Sequence, residues 1–398
     1  MNPTILFKLL ADYQQKVLEL CEEHPEDFNI QYHSDLSPLG WHLGHCVYTE
    51  TYWLREQLLS ISSPDQKLKA HYVPELAKKS DRSKALPDYS ELCQWAGERQ
   101  QENLGLLNKY RNRKYENRRY QDVNDHSLMQ HDFLIHFLIQ HYAQHFEIMH
   151  MILAQKALQE CVDFEVKQKL SSSELNTSTA LLKAGNYRIG SQTDSLPYDN
   201  EYPGHEFETD DINIADKPVS NSEFLLFMEQ SAYQNPEVWS QKGWRWKEKF
   251  DVSRPEFWLK DKQQNWFGID INGPHYLVPD HPVWGINYYE AQAFASWASL
   301  DHGQTRLPHE YEWEAAKQSD CLKNTGQVWE WCQNSFHPYV NFRAFPYDGY
   351  SMPYFDASHF VMKGASRYTE DVIQRNSFRN YYQADKRHQF AGCRLVIG

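Results

Sequence analysis

The sequence lacks the positive charge that a nucleic acid or an anionic membrane would require. Its 40 Lys and Arg stand against 54 Asp and Glu, a formal net charge of −14, whereas both partners need an excess of cations to displace counterions. Its seven cysteines, Cys21, Cys46, Cys93, Cys161, Cys321, Cys332 and Cys393, are odd in number and scattered, with no CxxC pair. That excludes a zinc ribbon or a disulfide framework and leaves buried free thiols. No apolar run is long enough to cross a bilayer, and no early stretch has the basic start, apolar run and small-residue site of a signal peptide. The expectation is a cytoplasmic protein whose partners are small molecules, with no nucleic acid and no membrane.

What is present is length enough for two domains, 398 residues with 41% apolar, and a 15% share of aromatic residues that suggests a compact irregular fold or a ring-lined pocket. Over residues 1–165, apolar residues recur at three- and four-residue intervals in four long segments, beginning with "ILFKLLADYQQKVLELCEE" and ending with "HFLIQHYAQHFEIMHMIL". This pattern predicts an antiparallel four-helix bundle, whose interior is a known place to build metal sites from facing side chains. Residues 166–180, with the polar run "SSSELNTST" at 171–179, read as a linker. Residues 181–398 change texture to short strand-like pieces, Gly, Pro and Asn turns and Trp-rich stretches, without an internal repeat. Two helices are predicted there, "SNSEFLLFMEQSAY" and "NYYEAQAFASWASL", with Ser220 or Asn221 and Asn287 as N-caps. The fold class is α+β, a helical bundle followed by an irregular mixed domain.

Four histidines fall in the last bundle segment. His141 and His145 are four apart and project from neighbouring turns of one side, the spacing at which two side chains can grip one ion, while His136 and His150 lie well round the cylinder. A third ligand decides between a metal site and an amphipathic accident. His42 and His45, in "WHLGH", are three apart on adjoining faces, so one ligand and one outer-shell or surface residue is the economical reading. Three neutral imidazoles would leave open coordination positions, as a catalytic metal requires, and iron, zinc and other divalent ions all suit such nitrogen donors.

The motifs "WHLGH" and "QHYAQHFE" resemble those of the DinB-like bundles at the front of ergothioneine-type sulfoxide synthases. The second half resembles the formylglycine-generating-enzyme-like (sulfatase-modifying factor) domain, a C-type-lectin-like fold, through "AGNYRIGS", "HPVWGINYYEAQAFASW", "TRLPHEYEWEAA", "GQVWEWCQN" and "FRNYYQADKRHQFAGCRL". The resemblance covers nearly the whole chain in the family's order. It implies a non-haem iron(II) held by His45, His141 and His145, with O2 as co-substrate and no organic cofactor. The reaction it implies joins a thiol to the imidazole C2 of hercynine, the trimethylated betaine of histidine, and leaves a sulfoxide.

The resemblance also implies roles for single residues. Gln144 matches a glutamine that helps hold the imidazole substrate, and Asn380 matches a substrate contact. Tyr382 stands where some members that bind γ-glutamylcysteine have Asp, which counts against that donor. Lys79 and Arg82 match a basic pair that binds donor carboxylates in some relatives. Because one of the two is Lys, a point charge rather than a planar fork, a donor with fewer or differently placed carboxylates is implied. Tyr347, in "PYDGYSMPYF", aligns with the active-site tyrosine. An ordinary phenol, with a pKa of about 10, is protonated and able to donate at neutral pH.

The nearest rivals share the fold. One couples cysteine to histidine on the ovothiol route, and another makes selenoneine from a selenosugar, so the substrates are hercynine or histidine with a thiol or selenol donor. The ovothiol enzymes usually carry a further methyltransferase domain that this sequence does not include, which lowers that expectation. A metal-dependent thiol S-transferase would not need the large second half, and formylglycine generation lacks its copper-binding cysteine pair. A lectin-like binding module with a structural metal is the non-enzymatic alternative.

Overall fold

The periodic segments of the first part form helices whose apolar stripes face one another. In the computed structural model, which describes residues 3–116, 126–191 and 197–398, these are α1 (Pro3–Glu23), α2 (Leu39–Thr51), α5 (Tyr89–Glu116) and α6 (Phe133–Glu160). Two short helices, α3 (Lys69–Tyr72) and α4 (Lys79–Arg82), lie in the connection from α2 to α5. Leu10, Val17, Leu43, Val47, Leu107, Leu138 and Ala143 are fully buried between the long helices. The α-helical winding of α2 gives way to a π-helical stretch over Tyr52–Leu58. The change falls at Thr51, whose hydroxyl donates back to the carbonyl of Val47 at 2.8 Å, a bond that competes with regular helical geometry. Among the described residues no helix is long and apolar enough to cross a membrane.

The chain divides into two compact units, residues 1–159 and 160–398. Among its described residues the second contains four small sheets. Strands β1 (Thr179–Leu182), β4 (Ile212–Ala215), β13 (Val396–Ile397) and β8 (Thr305–Arg306) form one in that order, and β11 (Asn380–Gln383), β10 (His359–Gly364), β9 (Trp329–Ser335) and β12 (Ala391–Cys393) form another. A two-stranded sheet pairs β2 (Gly185–Ile189) with β3 (His205–Thr209), and a three-stranded one joins β5 (Trp258–Lys260), β6 (Trp266–Asp270) and β7 (Gly273–His275).

Both expected helices of this unit form. α7 (Asn221–Glu229) is capped by Ser220 in a box with Glu223, and α9 (Tyr288–His302) by Asn287 in a box with Glu290. Two more were not expected: α8 (Gln241–Phe250), capped by Ser240, and α10 (Glu310–Gln318), capped by His309. The polar run 171–179 is not a free linker, because its main chain and hydroxyls bond to the second unit. Ser173 N reaches Ser222 O at 3.2 Å and Asn176 N reaches the Glu223 carboxylate at 2.6 Å. The stretch is largely exposed, yet its polar groups also hydrogen-bond to the start of a neighbouring helix.

Among the described residues, three ion pairs are sealed inside the second unit: Arg379 to Glu310 and Arg394 to Glu330, both at 2.7 Å, and Lys363 to Glu314 at 2.9 Å. Such pairs add little net stability, but removing one partner leaves a buried charge that costs about 3–5 kcal/mol. They therefore fix how α10, β9, β10 and the β11–β13 segment register against one another.

Candidate metal centre

Helix α2 is buried along almost its whole length, and two glycines allow its close packing. A Cβ on Gly40 would come within 2.3 Å of the Phe28 ring, and one on Gly44 within 2.2 Å of the Tyr72 ring. The bare Gly44 lets Tyr72 lie against the helix beside His45, and the Tyr72 carbonyl then meets His45 Nδ1 at 2.6 Å. A carbonyl only accepts, so Nδ1 carries the proton and Nε2 presents its lone pair.

That Nε2 lies 3.2 Å from Nε2 of His141 on α6. Two nitrogens each about 2.1 Å from one ion, with an angle of about 90–110° between them, would be separated by roughly 3.0–3.4 Å. His145, one turn beyond His141, completes the group: each of the three imidazoles offers a ring nitrogen within 4.8 Å of the other two. Burial pushes His45 down to about 4 and drives His141 and His145 well below the ordinary imidazole value. All three are therefore neutral at pH 7, the form that binds metal. The donor set and spacing fit a divalent ion with open positions.

His42 is not at the surface. It is 4% exposed and its Nδ1 lies 2.8 Å from Nδ1 of His145, on the ring edge away from His145 Nε2, which is how an outer-shell partner orients a ligand. His150 donates from Nδ1 to the Phe146 carbonyl at 2.9 Å on its own helix. Gln144 precedes His145 on α6 and is half-buried.

The α3–α4 connection closes one side of this group. Trp41 stacks on His45 with ring centroids 4.8 Å apart and planes 9° from parallel, and its indole N–H donates to the His71 carbonyl at 2.8 Å. Arg82 is 5% exposed, whereas Lys79 is exposed and donates to the Asp35 carbonyl. The roles of Trp41 and of the Tyr72 carbonyl were not foreseen. Trp41 adjoins the first histidine of "WHLGH", which is a usable signal, but a backbone carbonyl leaves none.

The remaining expected residues belong to the second unit. Asn380 and Tyr382 are two apart on β11 and so share a face, opposite Met362 and Phe360 of β10. The Asn380 side-chain oxygen accepts from Tyr381 N at 2.9 Å, and the Tyr382 ring meets His388 edge-on at 5.7 Å. Tyr347 is 41% exposed on a loop tied at both ends to Asp199, which accepts from Phe345 N at 3.3 Å and from the Ser351 hydroxyl at 2.5 Å.

Comparison with known proteins covers both units. Residues 9–149 match the DinB superfamily, and residues 163–324 and 321–398 match the sulfatase-modifying factor enzyme 1-like domain. The chain is 26% identical over 442 residues to a hercynine oxygenase of Mycolicibacterium smegmatis, spanning 97% of each protein. It is 29% identical over 243 residues to a hercynine oxygenase of Mycobacterium tuberculosis, 50% of this chain and 55% of that one. A formylglycine-generating enzyme of Thermomonospora curvata is 27% identical over 171 residues, 39% of this chain and 52% of that one. With a DinB-superfamily bundle ahead of the larger domain, the chain belongs to the sulfatase-modifying factor enzyme 1-like family.

Proposed function

We propose that the protein is a non-haem iron(II) enzyme that uses O2 to join a donor sulfur to the imidazole C2 of hercynine, forming a sulfoxide. The observation that carries this reading is the group of three neutral imidazoles, His45, His141 and His145, in a chain alike over 97% of its length to a hercynine oxygenase. Iron(II), when bound, supplies the positions at which thiolate, imidazole and O2 are brought together and activated.

The chain's own residues divide the other tasks. Gln144, adjoining the third ligand, hydrogen-bonds the substrate imidazole, and Asn380 and Tyr382 contact substrate from one face of β11. The trimethylammonium group has no N–H to donate, so it is held by aromatic faces and carboxylates. Of the basic pair Lys79 and Arg82, the exposed Lys79 is the one we assign to a donor carboxylate. Tyr347 delivers a proton from its hydroxyl during oxygen reduction. The seven free thiols suit a reducing compartment such as the cytoplasm.

The test is oxygen uptake by the iron(II)-loaded protein with hercynine and a panel of cysteine, γ-glutamylcysteine and a selenosugar, with products read by mass spectrometry. A coupled product whose formation requires hercynine supports the reading. Oxygen uptake that ignores hercynine, or none with any donor, refutes it.

A further inference from the structure

Arg82 has little freedom to reach a substrate. Its Nε donates to the Ala77 carbonyl at 3.1 Å, Nη1 to the Ser37 hydroxyl at 2.7 Å and Nη2 to the Pro74 carbonyl at 3.0 Å. The guanidinium carbon sits 3.8 Å from the centre of the Trp41 ring. All of these partners are neutral oxygens or an aromatic face, so the side chain is committed to shaping the α3–α4 connection.

Trp41, which Arg82 covers, also stacks on a metal-centre histidine. The indole is pinned by its bond to the His71 carbonyl and lies nearly parallel to the His45 imidazole. His45 is thus fixed twice: the Trp41 stack sets the plane of its ring, and the Tyr72 carbonyl sets which edge faces inward. Turning the ring would break one or both restraints. Arg82 and His45 both pack on the Trp41 indole, and His45 points Nε2 at His141, 3.2 Å away.

We propose that Arg82 is a positioning residue for the metal ligand His45, acting through Trp41, rather than a residue that captures the donor's carboxylate. The proposal rests on the reading of His45 as a metal ligand. Lys cannot replace Arg here: it keeps the charge but has neither the planar face that covers the indole nor the fork that bonds Ser37, Pro74 and Ala77 together.

The test measures Fe(II) and Co(II) affinity by chelator competition, without any substrate, together with the visible spectrum of the Co(II) protein. Outer-shell partners of metal ligands are typically worth about 10–100-fold in affinity. Arg82→Lys and Trp41→Leu are therefore each expected to weaken both ions roughly tenfold and to shift the Co(II) bands. Trp41→Phe, which retains a stacking ring, should lie between Trp41→Leu and the unaltered protein, and Lys84→Ala, an exposed change two residues on, should match the unaltered protein. If Arg82→Lys leaves affinity and spectrum unchanged, the proposal is overturned. A raised KM for the donor in that same variant would then make Arg82 a substrate residue instead. Should Arg82→Lys fail to fold, Trp41→Leu and Trp41→Phe decide by the same readouts. His45→Ala separates the two levels: unchanged metal binding there removes the metal reading itself, whereas lost binding there with unchanged Arg82→Lys and Trp41→Leu removes only the positioning role.

Discussion

The main-chain carbonyl of Tyr72 accepts from His45 Nδ1 at 2.6 Å, and this contact exists because residue 44 has no side chain. A methyl group at Gly44 would collide with the Tyr72 ring. Overpacking of this kind costs about 1–3 kcal/mol, and relief comes by moving Tyr72 away from α2. Gly44→Ala should lower the melting temperature and also weaken metal binding, since His45 loses the bond that fixes its tautomer. Equal metal affinity in a destabilised Gly44→Ala protein would separate the packing from the site.

Removing any one of His45, His141 and His145 leaves two imidazoles, a much poorer site. Each Ala variant should lose more affinity than the roughly 10–100-fold that an outer-shell partner is worth. His42→Ala, which removes the partner of His145 Nδ1 and an edge-on neighbour of Trp41, should stay within that range. Metal content by elemental analysis after a chelator wash checks the order. Full occupancy in His145→Ala, or a larger loss in His42→Ala than in His45→Ala, contradicts the ligand assignment.

Acid should loosen the metal-free protein, with a sign set by burial. His45 falls from 6.5 to about 4 in the fold, and His42, His141 and His145 are lowered as well. Below about pH 6.5 the unfolded chain therefore binds protons that the folded one refuses, and stability drops as pH falls toward 4. Glu50 opposes this. Burial raises its carboxyl from 4.5 to about 7 even though Tyr142 and Gln14 bond to it. Between those values the folded state holds a proton the unfolded state lacks, so this term gains as pH falls. Glu50→Gln removes the opposing term and should make the melting temperature of the chelator-treated protein fall more steeply between pH 7 and 4.5. A shallower fall in Glu50→Gln would mean that Glu50 is ionised in the fold.

The bundle was legible because its helices repeat every 3.6 residues, and His141 and His145 because four residues bring side chains to one side. The choice between His42 and His45 was not. Both are buried, one toward His141 and the other against the far nitrogen of His145, a difference set by how α2 is rotated against α6. In the second unit the strands are short and pair with distant segments, so periodicity says little. Helix α10 starts after Pro308 with a histidine cap in a box with Glu312, and α8 has a Ser240 cap but carries Gly243 in its first turn and runs only ten residues, so each start signal sits on a segment too short for periodicity to mark. The words around Arg379 and Arg394 were recognisable, yet those arginines serve buried pairs whose carboxylates lie 69 and 64 residues away.

The choice of product should depend on Tyr347. A thiol that takes up oxygen without coupling ends as the sulfinate, so a sulfoxide synthase must form the carbon–sulfur bond before a second oxygen reaches sulfur. A phenol that delivers its proton early favours coupling. Tyr347 is 41% exposed on a loop anchored through Asp199. Tyr347→Phe keeps the ring and should alter stability by no more than about 0.5 kcal/mol. The metal ligands lie in the other unit, so metal affinity should hold. We expect the variant to consume O2 still, with a larger share of donor recovered as sulfinate and a smaller share as coupled sulfoxide, measured by mass spectrometry against total oxygen uptake. If rate and product ratio both match the unaltered protein, the hydroxyl does not steer the reaction, and the proton comes from another group.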